Sequence, residues 1–194
     1  LVGAKIVAVE PSIKTYNIDP DLIEEKINKK TKAIIVVHLY GQPCEMDKIL
    51  SIANRYNLYV IEDNAQAHLA TYNNQYTGTF GNINATSFYP TKNLGAIGEA
   101  GAVTTNNENI YNFARLYRNY GSSKKYINEL IGVNSRIDEI QAAVLNVKLK
   151  FLNDFNNQRI ENAEQYNNKI NESDKMVLPF KTDNCKHVYH LYVV

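Results

Sequence analysis

Two short stretches of the 194-residue sequence gather side chains that could do chemistry. The first is Glu62-Asp63-Asn64-Ala65-Gln66-Ala67-His68, where acid, amide and imidazole groups crowd the end of an apolar run. Asp63 alone reads as a solvated carboxylate or a helix cap, but this density of polar groups is unusual for a plain turn. The second is Ser87-Phe88-Tyr89-Pro90-Thr91-Lys92-Asn93-Leu94-Gly95. A lysine in such a run is ordinarily a surface charge. One that attacks a carbonyl must be held rigidly and partly desolvated, because only the neutral amine is a nucleophile. Pro90 stiffens the approach, and Gly95, Gly98 and Gly101 let backbone pass close to a ligand. Their spacing is neither the dinucleotide fingerprint nor a P-loop, which leaves nicotinamide and nucleotide-hydrolysis chemistry weakly supported. Cys44 and Cys185 lie far apart, without metal spacing or disulfide density, so two reduced thiols and no metal site are expected.

The elements that must position these residues alternate along the first half of the chain. Lys5 to Glu10 alternates as a strand, and Asp19-Pro20 supplies an N-cap and first-turn proline for a helix to about Ile27. Ala33 to His38 reads as a strand buried on both faces, Met46 to Tyr56 has helical spacing, and Tyr59 to Asp63 is another buried strand. This order predicts a parallel sheet covered by helices, with ligands held beyond the carboxyl ends of its strands, after His38, Asp63 and Ser87 to Lys92. Shorter strands are predicted at Ala85 to Tyr89 and Gly101 to Thr105, and a helix at Glu108 to Arg118 closed by Gly121. Ser135 and Asp138 resemble a capping box for a long helix whose pattern extends to about Ile170 and can lead toward a second domain. Glu172 to His187 is polar and loop-like, and His187 to Val194 returns to strand alternation.

Composition narrows the partners. Lys and Arg number 21 against 20 acidic residues, so the net charge of +1 offers no broad field for nucleic acid. The longest aliphatic run, Ala33 to Val37, falls far short of the roughly 20 residues of a membrane helix, and no leader pattern opens the chain. A cytoplasmic protein with no membrane partner is expected. The chain opens at Leu1 in what reads as a helix tail closed by Gly3 and stops at Val194 inside an apolar run, so a piece of a longer protein is expected.

Three motifs occur in order: Asp63 with Gln66, the run Ser87 to Gly95, and Gly132-Val133-Asn134-Ser135-Arg136-Ile137-Asp138-Glu139-Ile140-Gln141-Ala142-Ala143. With them the sequence resembles the DegT/DnrJ/EryC1/StrS aminotransferases from Val9-Glu10-Pro11 to His190-Leu191-Tyr192. The resemblance implies an α/β protein of the PLP-dependent transferase fold type I. Residues 1–150 would belong to a three-layer α/β/α large domain with a mostly parallel sheet, lacking its N-terminal portion. Residues 151–194 would be a linking helix and the start of a truncated small C-terminal α/β domain.

The resemblance also implies pyridoxal 5'-phosphate and a role for each matching position. Lys92 matches the lysine that forms a Schiff base with the cofactor and then moves the substrate proton. Asp63 matches the carboxylate paired with the pyridine nitrogen, Gln66 the side chain beside the ring hydroxyl, and Ser87 a hydroxyl on the phosphate. Asn134 matches an asparagine that reaches the phosphate from a partner subunit, implying a homodimer with a shared site. His68 and Tyr89 would line the substrate side or only pack; His187 and His190 read as structural, and His38 receives no role. The implied reaction is amination of a nucleotide-linked keto-sugar with glutamate as donor, in deoxyamino-sugar biosynthesis for surface polysaccharide or glycoconjugates. Tyr89 to Ala96 with Arg118 to Ser122 is most similar to members acting on dTDP-3-keto-6-deoxyhexoses. Rival readings are a sugar dehydratase of the same family, which would carry histidine in place of Lys92, a non-catalytic binding or regulatory protein, and a nucleotide-binding dehydrogenase. Leu69 departs from the family's usual glycine after His68, and the family's glycine-threonine phosphate turn and ring-stacking aromatic precede the stretch that Leu1 opens.

Overall fold

A computed structural model describes residues 2–170 and 176–194. The helix tail expected at Leu1 and the part of the polar loop within 171–175 lie outside them. A four-stranded sheet occupies the centre, in the order β1 (Ala33–Val37), β2 (Tyr59–Asp63), β5 (Ile83–Ser87), β6 (Gly101–Thr104). The first three run parallel and β6 antiparallel, so the sheet is mostly parallel, as the strand and helix alternation predicts.

Helix α1 (Met46–Arg55) joins β1 to β2 and buries Met46, Ile49, Ile52 and Ala53, the residues that 3.6-residue spacing puts on one stripe. They meet Ile34, Val36, Val60 and Ile23 in the main core. Burying a side chain of the size of Met46 or Ile49, both 0% exposed, contributes about 1.5–3 kcal/mol.

Several elements differ from their sequence pattern. β1 is not buried on both faces: Ile34 and Val36 point into the core, whereas Ile35 is 60% exposed. Lys5 to Glu10 forms no strand, because alternation without a neighbouring ladder leaves backbone groups to water, and Ile6 and Val7 are exposed. Asp19 does cap, accepting from the Asp21 N–H, but starts two single-turn 3₁₀ segments, Pro20–Leu22 and Glu24–Lys26, rather than an α-helix.

Helix α2 (Glu108–Tyr117) forms as predicted, capped by Asn107, and the Gly121 N–H bonds the Leu116 carbonyl behind it. The capping box at Ser135 does not form: α3 (Glu139–Leu149) begins after Asp138, and a break at Lys150 and Phe151 separates it from α4 (Leu152–Lys169). Short pairs unforeseen in the sequence, β3 (Thr71–Tyr72) with β4 (Gln75–Tyr76) and β7 (Ser122–Lys124) with β8 (Ile127–Asn128), fold on turns rather than apolar runs. The strand predicted at His187 to Val194 is displaced to β9 (Cys185–Lys186), which adds to β3. Val188 then packs on Ala67 and Ala70, tying this segment to the loop after β2.

Candidate active site

Because β1, β2 and β5 run parallel, their carboxyl ends share one edge. His38 follows β1, Asp63 ends β2 and Ser87 ends β5. Asp63 pairs in register with Val37 on one side and Ala85 on the other. The positions singled out beyond the apolar runs therefore converge where open sheets hold ligands.

Adjacent carboxylates at the end of β2 have contrasting surroundings. Glu62 is 0% exposed, and its Oε1 accepts from the Phe80 and Gly81 N–H groups at 2.7 and 2.6 Å. Its Oε2 accepts from the Gly78 N–H at 2.7 Å and lies 2.8 Å from His38 Nε2. His38 Nδ1 accepts from the Cys44 N–H, so Nε2 carries the hydrogen given to Glu62. Burial pushes the Glu62 pKa up, but the hydrogen bond from His38 and those from the Gly81 and Gly78 N–H groups outweigh it and hold the carboxyl below its usual value. Asp63 is half-buried, and among the described residues its carboxylate accepts only from the Ala65 N–H, at Oδ1 (2.9 Å), and makes no ion pair.

Gln66 is fixed from one end, its Oε1 accepting from the Tyr40 N–H at 2.6 Å, which leaves the amide hydrogens of Nε2 for another partner. That bond sits on a forced turn: Tyr40 has φ 59°, and at Gly41, φ 97°, a Cβ would lie 2.9–3.0 Å from Val188, Gln66 and His190 atoms. Ser87 Oγ accepts from the Tyr89 N–H at 3.2 Å, leaving its own hydrogen to give. Lys92 is half-buried, its N–H bonded to the Tyr89 carbonyl, and its amine has no hydrogen bond or ion pair among the described residues.

His68 is 6% exposed and stacked on Phe88 with ring centroids 5.7 Å apart. Thr86 Oγ1 directs its single hydrogen to the Asn64 carbonyl, so His68 Nε2 donates to it at 2.9 Å and Nδ1 is left without a partner among the described residues. Burial, reinforced by His190 and Lys92, brings the His68 pKa down to about 4. Burial, with Lys92 and Arg159, does the same to His190. The charge of Lys92 thus acts on both imidazoles.

The structure gathers Asp63, Gln66, His68, Ser87 and Lys92 about the carboxyl edge of β2 and β5. Tyr89 is 45% exposed beside Lys92. Asn134 stands apart on an exposed segment, bridged to Asn119 and accepting from Arg136 Nε at 3.2 Å. Leu69 keeps a glycine-like backbone, φ 61°, while its side chain packs toward the Leu94, Ala96, Leu145 and Leu152 cluster. Sequence reasoning gave no weight to Asn93 and Asn156, which are buried beside Lys92 and His68. Asn93 carried a signal in its place next to Lys92; Asn156, an asparagine in a polar helix, carried none.

Fold and site define an α/β chain of the PLP-dependent transferase fold type I. The profile of the DegT/DnrJ/EryC1/StrS aminotransferase family matches residues 1–194, and the chain belongs to that family. It is 55% identical, over 99% of its own length and 53% of the relative's, to a dTDP-3-amino-3,6-dideoxy-alpha-D-galactopyranose transaminase of Aneurinibacillus thermoaerophilus. It is 44% identical, over 99% of its length and 52% of the relative's, to a pleiotropic regulatory protein of Geobacillus stearothermophilus. Its structure superposes on that of S. venezuelae DesV in complex with a ketimine intermediate with a TM-score of 0.93 at 41% identity, covering 96% of this chain and 50% of the other. The chain spans about half the length of these relatives.

Proposed function

We propose that the protein from which this chain comes is a pyridoxal-phosphate-dependent aminotransferase acting on a nucleotide-linked keto-sugar, a dTDP-3-keto-6-deoxyhexose, with glutamate as amino donor. The observation that carries the reading is the half-buried Lys92 amine, without an ion pair among the described residues, at the same sheet edge as the under-bonded Asp63 carboxylate. The donors and acceptors left over fit the cofactor. Asp63 Oδ2 suits a protonated ring nitrogen, the Gln66 Nε2 hydrogens a ring oxygen, and the Ser87 hydroxyl hydrogen a phosphate oxygen.

Pyridoxal phosphate, when bound, supplies an electron-withdrawing ring that acidifies the carbon whose proton moves. Asp63 would keep a proton on the ring nitrogen, since an adjacent anion favours the charged form. Lys92 Nζ takes the proton from the donor carbon and returns one to the sugar carbon. Tyr89, exposed, lines the substrate side, and His68 lines it from below. Asn134 reaches the phosphate of a partner subunit in a homodimer, a reading supported by its exposure and by the exposed Tyr111, Phe113 and Tyr117 of α2. Residues 1–150 belong to the large domain and α4 leads toward the small one, a division supported by the break at Lys150. Cytoplasmic location belongs to the same proposal and follows the substrate class; among the described residues no helix is long and apolar enough to cross a membrane.

Borohydride reduction of the full-length protein with pyridoxal phosphate, followed by peptide mass spectrometry, tests the reading. A phosphopyridoxyl group on Lys92 is expected. A folded protein without it would instead support the regulatory reading that the Geobacillus relative's name suggests.

A further inference from the structure

Asn93 follows Lys92 and is 4% exposed. Its Nδ2 donates to Asn156 Oδ1 at 2.8 Å and to the Val188 carbonyl at 3.1 Å, and its Oδ1 accepts from His190 Nδ1 at 3.1 Å. Two oxygen partners fix which end of the amide is nitrogen, and that makes His190 the Nδ1–H tautomer. Asn156, 0% exposed on α4, passes the connection on: its Nδ2 donates to the His68 carbonyl at 2.9 Å. Three residues further along the same helix face, Arg159 Nη1 donates to the Tyr189 and His190 carbonyls at 3.3 and 3.2 Å.

A fully buried asparagine is unfavourable unless its groups are bonded, and a leucine at position 156 would fill the space without that demand. Both bonds of Asn156 end on the two segments that carry the site: Asn93 beside Lys92, and the loop holding Asp63, Gln66 and His68. We infer that Asn156 is a positioning residue, which through Asn93 and the His68 carbonyl sets Lys92 against the Asp63 to His68 segment and couples α4 to the site. The inference rests on Lys92 being the reacting amine.

The test is made in the full-length protein with Asn156→Leu, the exposed neighbour change Asn157→Ala serving as control. Three quantities are read: the rate at which borohydride traps pyridoxal phosphate on Lys92, kcat against KM, and Tm. For Asn156→Leu, trapping and kcat are each expected to fall about tenfold or more, with KM changed less than about twofold. Asn156→Ser, which keeps a single hydrogen-bonding group, should recover part of the loss. Wild-type trapping and kcat in folded Asn156→Leu, or a change in Tm alone, would overturn the inference. If that variant does not fold, Asn156→Ser and His190→Phe are judged by the same criteria; failure of all three to fold would make the network a folding element only and also overturn it. Absence of label on wild-type Lys92 would instead refute the assignment of the reacting amine.

Discussion

Glu62 and Asp63 are neighbouring carboxylates of one strand, and the β pleat sends them to opposite faces. On one side, Glu62 meets three backbone N–H groups and His38 in full burial, and binds the turn at residues 78–81 to the sheet. On the other, Asp63 accepts a single local bond and stays half open. A carboxylate whose lone pairs are already used by the protein is held as scaffold. One whose lone pairs are left over, at the sheet edge where open sheets hold ligands, has them free for the role proposed above. The distinction lies in satisfied bonds, since residue type and strand position are almost the same.

The contrast is best broken from the site side. Lys92→Ala has the largest expected effect: loss of the borohydride-trapped label and of transamination, in a protein whose thermal unfolding is little changed. An unchanged visible absorbance in that variant would contradict the assigned lysine. Next, Asp63→Asn should lower kcat by about 10²–10³-fold while retaining some cofactor and nearly all of its stability, because on the proposed reading it removes only the charge meant for the ring nitrogen, and the asparagine oxygen can still accept from the Ala65 N–H. Kinetics paired with calorimetry check it, and a large drop in Tm would put Asp63 on the scaffold side. Glu62→Ala should behave in the opposite sense, losing about 3–5 kcal/mol in denaturant unfolding because His38 and three N–H groups are left without their partner.

The smallest effect is graded with pH. His68, His187 and His190 each fall from an ordinary pKa of 6.5 to about 4 when folded, chiefly through burial. Between those values the unfolded chain binds more protons, so their contribution to stability is complete above about pH 6.5 and is lost as pH falls toward 4. The loss is up to about 1.4 kcal/mol per pH unit for each histidine. The lowered Glu62 pKa works in the same direction at more acid pH, its contribution present above the ordinary 4.5 and lost as pH drops through the folded value. Unfolding free energies measured from pH 7.5 to 4.5 check the slope; a flat profile would mean that these imidazoles take up protons as readily in the folded protein as in the unfolded chain.

Leu69 shows how local signals and tertiary demands combine. Leu69 stands in place of the family's usual glycine, yet the backbone keeps φ 61°, a conformation that is unfavourable by about 1–2 kcal/mol for a residue with a Cβ. Contact of the leucine side chain with the Leu94 and Leu152 cluster offsets that strain. His190 makes a related point: read from the sequence as structural, it is bonded to the residue after Lys92.

By itself the sequence determined the parallel strands at Ala33 and Tyr59, helices α1 and α2, and the placing of Asp63, Ser87 and Lys92 just beyond apolar runs. Apolar periodicity and capping act within a few residues, so these features are readable without the rest of the chain. The tertiary structure alone decided the fate of Lys5 to Glu10, the move of the last strand to Cys185–Lys186, and the link from Lys92 through Asn93 and Asn156 to His68. A strand requires a partner ladder and a buried amide requires bonded neighbours, and both are supplied by residues tens of positions away, whose approach no local pattern encodes.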